Sequence, residues 1–171
     1  VEGRRYVMGV DLGRHHDATV LTVMDVVRRH VVAWSRMTEN HWALQKLSIA
    51  LLARRYPGVL VLDSTGVGDP IYEDLLTQGF NVEGVRFGDT SKRSLIDGLR
   101  VAIAQRLITF PKLPQLIEEL QEFEMKLDAD GRLIQPVRYG APAGEGYFDD
   151  SVISLGLAVH GLKGALHVPR V

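Results

Sequence analysis

The sequence predicts an α/β domain whose sheet begins with antiparallel strands and continues with parallel ones. Two observations lead to this class. First, three β-rich runs follow one another with only short connections, as in an antiparallel meander. Second, the continuous apolar run VLVL at residues 59–62 follows a helical pattern, as expected of a strand buried on both faces.

The first half of the chain predicts three strands and a helix ahead of that buried strand. Residues 6–12 are predicted to form a strand in which Val7, Gly9 and Asp11 share one face and the alternate residues share the other. Residues 18–27 and 30–37 are two further β-rich runs, joined by the charged pair Arg28-Arg29. A helix is predicted over residues 40–56, before Pro57-Gly58. Its helically spaced apolar residues are Trp42, Leu44, Leu47, Leu51 and Leu52.

The second half predicts helices around one more strand and a hairpin. Asp69-Pro70 has the residue types of an N-cap and a first helical position, and it begins a short helix to about residue 78. Two hairpin arms, at residues 125–127 and 133–137, flank the turn signal DADG. The other predicted elements are a strand over 82–87, helices over 91–106 and 113–124, an extended piece over 107–110, a glycine- and proline-rich loop over 139–147, and a last helix from Asp149 or Asp150 to residue 162.

The composition is that of one ordinary globular domain of 171 residues, with 46% hydrophobic and 24% charged residues. The absence of cysteine excludes disulfides and thiolate metal sites, so any metal must be held by oxygen or imidazole. A formal net charge of −1 means that a nucleic-acid role needs a local basic face. No apolar run has the length of a membrane span, and residues 1–6 lack the apolar core of a signal peptide, so we expect a soluble intracellular protein.

Carboxylates stand at three places where apolar sequence meets a loop: Asp11, Asp63 and the pair Asp149-Asp150. If the two strands are neighbours and the last helix packs across them, these groups converge. Like charges in one patch raise one another's pKa and destabilise the fold unless a cation compensates. Oxygen ligands suit Mg²⁺ and Mn²⁺, and two such ions about 3.5–4 Å apart can hydrolyse a phosphodiester. The acids therefore predict a metal-dependent hydrolytic site.

Each acid also has a purely structural interpretation. An aspartate inside a strand is disfavoured, which favours a function for Asp11, whereas Asp63 alone could be a turn residue. Asp149 and Asp150 could cap the last helix. Asp17 is either a fourth acid at the rim of the site or the first residue of a strand, and Asp69 is interpreted as a cap.

The last helix carries a stripe of small and apolar residues that distinguishes the paired acids. The stripe begins at Asp150 and continues through Ile153, Ser154, Leu157, Ala158 and Gly161. Asp149 is turned away from it by about 100°, so Asp150 is predicted to be the better ligand.

Four segments together resemble the nuclease domain of the large terminase subunits of tailed phages. They are VMGVDLG, VLVLDSTGVGD, FEMKLDADGRL and FDDSVISLGLAV, and the resemblance covers residues 6–162. It implies an RNase H-like fold of the RuvC type. It also implies endonucleolytic cutting of double-stranded concatemeric viral DNA during genome packaging, in the host cytoplasm.

Carried onto this chain, the resemblance makes Asp11, Asp63 and one of Asp149 and Asp150 the ligands of two Mg²⁺ or Mn²⁺ ions. Two departures are visible: Phe148 stands where many members have histidine, and Asp63 stands where relatives often have glutamate. No Walker A sequence occurs, so we expect an isolated nuclease domain whose partners are the packaging ATPase domain, the portal and the small terminase subunit.

Cutting wherever a packaging motor stops requires phosphate contacts more than base recognition. The main candidates for DNA binding are Arg14, Lys92, Arg93 and Arg100, although each is also interpretable as a solvated surface charge. Further basic candidates are Arg106, Lys126, Arg132 and Arg138. His15 and His16 are interpreted as turn residues.

Other functions share parts of this pattern. GVDLG is also similar to a phosphate loop of actin-like ATPases and sugar kinases, but those folds use two lobes and a longer chain. A RuvC-like junction resolvase and an RNase H acting on RNA·DNA hybrids share the acids and differ in substrate. A catalytically silent docking module with the same fold is the non-enzymatic alternative.

Overall fold

The computed structural model describes residues 5–13, 18–38, 41–65, 68–125, 139–142 and 148–165. Its strands are β1 (Tyr6–Asp11), β2 (Thr19–Asp25), β3 (His30–Met37), β4 (Gly58–Asp63), β5 (Asn81–Val85), β6 (Glu124–Met125) and β7 (Tyr139–Gly140). Its helices are α1 (Trp42–Arg55), α2 (Gly68–Thr77), α3 (Asp89–Ala104), α4 (Pro114–Glu122) and α5 (Asp150–Ala165). No helix within these ranges is long and apolar enough to cross a bilayer.

One mixed sheet of five strands organises the fold, in the order β3-β2-β1-β4-β5. β1 pairs antiparallel with β2, and β2 with β3, so the predicted meander is confirmed. β4 pairs parallel with both β1 and β5, as crossover helices require. β1 is therefore the central strand. Its last residue, Asp11, lies at the same edge of the sheet as Asp63, the last residue of β4.

Helix α5 lies across one face of this sheet because small residues allow a close approach. A Cβ atom on Gly9 would lie 2.0 Å from the carbonyl oxygen of Ser154, and one on Gly161 would lie 2.6 Å from carbons of Val7 and Val61. Helices α3 and α4 cover the other side of α5. The predicted inward stripe is confirmed, and the helix continues to Ala165 rather than ending at residue 162.

The helix predicted over residues 40–56 is confirmed as α1. Three of its helically spaced leucines are largely exposed: Leu44 by 48%, Leu47 by 52% and Leu51 by 57%. The helix instead buries Gln45, Ile49, Ala50 and Ala53. With α2, it covers the sheet face opposite α5, where Ile49 and Ala53 join the cluster that contains Met8 and Val10.

The hairpin also differs from its prediction. β6 pairs with β7 through Glu124 opposite Gly140 and Met125 opposite Tyr139. Tyr139 and Gly140 had been expected in a loop, so the paired segment lies further along the chain than predicted. Residues 126–138, which include the predicted turn, lie outside the described part of the chain.

Other boundaries shift by a few residues. α2 begins at Gly68, so Asp69 lies inside its first turn and is not the residue before it. β5 ends at Val85, and α3 spans Asp89–Ala104, each earlier than predicted. The extended piece over 107–110 is confirmed, because Thr109 bridges to His30 at the start of β3.

Candidate active site

One edge of the sheet carries a row of side chains on the face that α5 covers. Asp11 pairs with Val20, and Val20 pairs with Arg36, so these three side chains share a face. Asp63 follows Leu62, the parallel partner of Val10, and therefore stands beside Asp11 one strand away. Neighbouring strands are about 4.8 Å apart, so the two aspartates are adjacent across the sheet.

The amino end of α5 adds Asp149 and Asp150 to this row. Asp150 is 7% exposed, and its Oδ2 accepts a hydrogen bond from the backbone N–H of Ala18 at 3.1 Å. Asp149 is more exposed, and its Oδ2 lies 3.2 Å from the Nζ of Lys92 at the start of α3. Asp150 is thus the inward-facing acid of the pair, and Asp149 faces a cation.

These four acids, Asp11, Asp63, Asp149 and Asp150, form what we call the acid cluster. Burial raises the pKa of the Asp11 carboxyl well above its usual value, and the charges of Asp150, Asp149 and Asp63 raise it further. The charge of Lys92 acts in the opposite direction. The positive charge of Lys92 therefore does not offset the burial and the negative charges that disfavour ionised Asp11.

Asp63 is held by the turn that follows β4. Its Oδ1 accepts the backbone N–H of Thr65 at 2.8 Å, and the hydroxyl oxygen of Thr65 accepts the N–H of Phe87 at 2.8 Å. These bonds join the ends of β4 and β5. Asp63 therefore acts as a turn residue and also contributes charge to the acid cluster.

The acid cluster has the donor chemistry that hard divalent cations prefer, namely carboxylate oxygens in a site of excess negative charge. Within the described ranges, no three carboxylate or imidazole groups are close enough to enclose a single ion. Asp149 faces Lys92, and one oxygen of Asp150 faces the Ala18 amide. The residues fit a divalent cation by the chemistry of their oxygen donors.

Known proteins share this arrangement of sheet and helices. The family described as "Terminase RNaseH-like domain" matches residues 8–160. This chain belongs to that family. The resemblance and the RNase H-like α/β fold predicted from the sequence are thereby confirmed for this terminase-family domain.

A curated relative of this terminase-family domain is the large terminase subunit of Thermus virus P23-45, which is 30% identical over 161 residues, 93% of this chain and 32% of the relative. The subunit of Thermus phage G20c is 29% identical over the same coverage. The chain therefore spans about a third of the length of these curated relatives.

Solved structures of terminase nucleases superpose on the same architecture. The large terminase nuclease of phage G20c, solved with bound magnesium, matches with a TM-score of 0.81 and 28% identity, covering 94% of this chain and 82% of that one. The nuclease domain of bacteriophage SPP1, solved with bound Mn, matches with a TM-score of 0.64 and 14% identity, covering 92% and 86%. At that identity, the second likeness shows the fold alone.

Sequence reasoning missed polar side chains that fix α5 in this terminase-family domain. Glu119 of α4 is 1% exposed, and its carboxylate accepts the backbone N–H of Ser151 at 2.7 Å and the Ser151 hydroxyl at 2.9 Å. The hydroxyl oxygen of Ser154 lies 3.0 Å from the Gly9 carbonyl and 2.8 Å from the Thr22 hydroxyl. Glu119 follows Leu116 on a helical stripe, and no local pattern distinguishes it from a surface acid.

Arg36 was missed as well, although a signal existed. In the predicted strand over residues 30–37, Arg36 and Trp34 are two residues apart and therefore share a face. A charged residue on the same face as a tryptophan is the signal. Its Nη2 lies 4.0 Å from the Oδ2 of Asp150.

The basic residues predicted to bind DNA differ in their distance from the acid cluster and in the acids they contact. Lys92 adjoins the acid cluster, as described above. Arg93 Nε and Arg100 Nη2 each lie 3.6 Å from the carboxylate of Asp97 on α3, and the Tyr139 hydroxyl is 3.1 Å from it. Predictions for residues 14–17 (Arg14, His15, His16 and Asp17) and for Lys126, Arg132 and Arg138 lie outside the described residues.

Proposed function

We propose that this chain is the single nuclease domain of a tailed-phage large terminase subunit, and that it cuts double-stranded concatemeric viral DNA during genome packaging. The observation that carries the proposal is the acid cluster, in which burial and then the charges of the other three acids raise the pKa of Asp11. Family membership supports it, as do the magnesium and cobalt bound by the G20c nuclease.

In this proposal Asp11, Asp63 and Asp150 hold two Mg²⁺ or Mn²⁺ ions, with Asp149 beside them and Asp17 as a further candidate at the rim. Bound ions of this kind activate a water molecule and stabilise the leaving oxygen of a phosphodiester. The chain itself sets the spacing of the carboxylates. β1 and β4 fix Asp11 and Asp63 one strand apart, and the Ala18 amide fixes an oxygen of Asp150.

DNA binding in this proposal rests on phosphate contacts from Lys92, Arg93 and Arg100, which lie along α3, and from Arg14, which follows Asp11 by three residues in the sequence. Lys92 is the best placed, because its Nζ is 3.2 Å from a carboxylate of the acid cluster. Each phosphate contact releases counterions, so cleavage should weaken as salt rises.

The relatives are about three times longer than this chain, which leaves room for the packaging ATPase in the complete subunit. We propose that ATPase, the portal and the small terminase subunit as partners, and the host cytoplasm as the place of action.

A cleavage assay tests the proposal. The wild-type chain is incubated with supercoiled plasmid, linear duplex, a four-way junction and an RNA·DNA hybrid, with and without Mn²⁺. We expect Mn²⁺-dependent cutting of duplex DNA that Asp11→Asn abolishes. Asp74→Asn is the matched control. Asp74 of α2 forms an ion pair with Lys46 of α1, and both helices lie on the face of the sheet opposite the acid cluster.

The other outcomes decide between the alternatives. Preference for the junction indicates a RuvC-like resolvase, and preference for the hybrid indicates an RNase H. A protein that cuts none of these substrates would be a silent docking module. Full activity in Asp11→Asn would remove Asp11 from the mechanism.

A further inference from the structure

Arg36 is a partly buried charged residue next to the acid cluster. It lies on β3, two strands from Asp11, in the row that runs through Val20. Its side chain is 19% exposed, and its Nη2 lies 4.0 Å from the Oδ2 of Asp150. The guanidinium carbon stands over the ring of Phe148, 5.3 Å from the centroid. Arg36 therefore contacts both the acid at the start of α5 and the residue just before the paired acids.

Stability alone does not account for a charge at this place. The guanidinium stays protonated, and a buried ion pair is often no more stabilising than apolar residues of similar size. A separation of 4.0 Å is at the outer limit of an ion pair. The described part of the chain offers the buried Nε of Arg36 no hydrogen-bond partner. A leucine or methionine would fill the site at less desolvation cost.

The position of Arg36 gives it a definite effect on Asp150. The same oxygen, Oδ2, faces Arg36 and accepts the Ala18 N–H at 3.1 Å. The ring of Phe148 limits movement of the guanidinium, because a planar cation over an aromatic face is attracted to it. The Ala18 N–H donates to Oδ2 of Asp150, and the charge of Arg36 attracts the same oxygen at longer range, so both groups favour one rotation of the Asp150 carboxylate.

We propose that Arg36 is a positioning residue, which sets the carboxylate of Asp150 for divalent-ion binding. The inference rests on the proposed function and assigns a role to a side chain outside the acid cluster. Residues that orient a metal ligand in this way typically change metal affinity or activity by about 10–100-fold when they are replaced.

When Arg36 is replaced, the direction in which Mn²⁺ affinity changes shows whether Arg36 positions Asp150 or only balances the negative charge of the acids. Removing a positive charge beside four acids favours cation binding by electrostatics alone. Removing a group that orients a ligand weakens cation binding. A fall in Mn²⁺ affinity in a variant without the charge therefore identifies positioning.

The test measures Mn²⁺ binding to the DNA-free chain by electron paramagnetic resonance or calorimetry, together with kcat and KM on duplex DNA. We expect Arg36→Met to bind Mn²⁺ about 10-fold more weakly and to lose kcat, with KM for DNA nearly unchanged. Arg36→Lys should lie between wild type and Arg36→Met, because it keeps the charge and loses the planar fork. Arg28→Met, at an exposed arginine of the β2–β3 turn, is the matched control.

Several results would overturn the assignment. Unchanged or tighter Mn²⁺ binding in Arg36→Met indicates a structural or charge-balancing role. A rise in KM for DNA with unaltered Mn²⁺ binding makes Arg36 a DNA contact. If Arg36→Met fails to fold, Arg36→Lys carries the test, and wild-type Mn²⁺ affinity in it contradicts the proposal.

The assay also separates this inference from the proposed function. A wild-type chain that neither binds Mn²⁺ nor cuts DNA removes the nuclease proposal, and the role of Arg36 is rejected with it. A wild-type chain that does both, beside an Arg36→Met variant that matches it, rejects only the role of Arg36.

Discussion

Helices α5 and α1 lie on opposite faces of one sheet, and their leucines have opposite environments. Leu155 and Leu157 of α5 are 0% exposed, whereas Leu47 and Leu51 of α1 are 52% and 57% exposed. α5 has the sheet on one side and α3 and α4 on the other. Among the described residues, α1 is covered on its inner side, and Leu44, Leu47 and Leu51 face outward.

The comparison of α5 with α1 shows which residue types indicate the side of a helix that packs on a sheet. Regular apolar spacing indicates that a helix has an apolar face, but it does not say which face is the core. In α5 the stripe includes Ser154, Ala158 and Gly161, whose small size permits the approach seen at Gly9. In α1 the buried side is marked by Ala50 and Ala53, whereas the larger Leu47 and Leu51 lie outside it.

The largest expected effect comes from breaking the approach of α5 to β1. Gly9→Ala places a Cβ where the carbonyl oxygen of Ser154 would be 2.0 Å away, so the helix must move. We expect a loss of about 3 kcal/mol or more in the free energy of unfolding, measured with urea. Gly164→Ala is the control, because a Cβ at that α5 position meets no atom within 4 Å. Equal effects of the two substitutions would contradict the close packing of α5.

A second test applies one substitution to both helices. Leu155→Ala should lower the free energy of unfolding by about 2–5 kcal/mol, because it leaves a cavity between packed elements. Leu47→Ala should change it by no more than about 0.5 kcal/mol, because the side chain is already half in solvent. Urea unfolding measures both. A large loss in Leu47→Ala would mean that the outer side of α1 is covered, for example by a second copy of the chain.

The smallest expected effect concerns the burial of Asp11 beside the other acids, which raises the pKa of its carboxyl. The pKa of Asp11 is raised in the folded protein, so wild-type stability falls as pH rises from the ordinary aspartate value through the raised one. Asp11→Asn removes this penalty. In metal-free buffer at neutral pH the variant should melt a few degrees higher, since about 1 kcal/mol corresponds to roughly 2–4 °C at this size. If the gain in melting temperature of Asp11→Asn stays constant as pH is lowered towards about 4, the raised pKa of Asp11 is not its cause.

The five strands of the main sheet were predictable from local patterns, and so was the convergence of the acids once two of those strands pair. Asp11 and Asp63 each end a strand, and parallel neighbours end at the same edge, so their proximity follows once β1 and β4 pair. The stripe of α5 placed Asp150 inward because helical geometry fixes the angle between neighbours. These inferences need only the period of a helix or strand and one pairing.

Other parts of the site depend on contacts between distant segments, which local patterns do not encode. Lys92 was predicted as a DNA contact, and the structure places it 3.2 Å from Asp149 because the first turns of α3 and α5 are neighbours. Glu119 reaches Ser151 from a separate helix. The hairpin register at Tyr139 likewise depends on pairing across a long connection, so the turn signal DADG gave its location but not its paired residues.

Thermal unfolding in a Mn²⁺ titration measures most directly whether the acid cluster holds divalent ions. An ion that binds only the folded chain raises the melting temperature in proportion to the logarithm of its concentration above the dissociation constant. We expect this rise in wild type and in Asp74→Asn, and a flat curve in Asp11→Asn. A wild-type melting temperature that Mn²⁺ leaves unchanged, or an equal rise in Asp11→Asn, would contradict ion binding at the acid cluster.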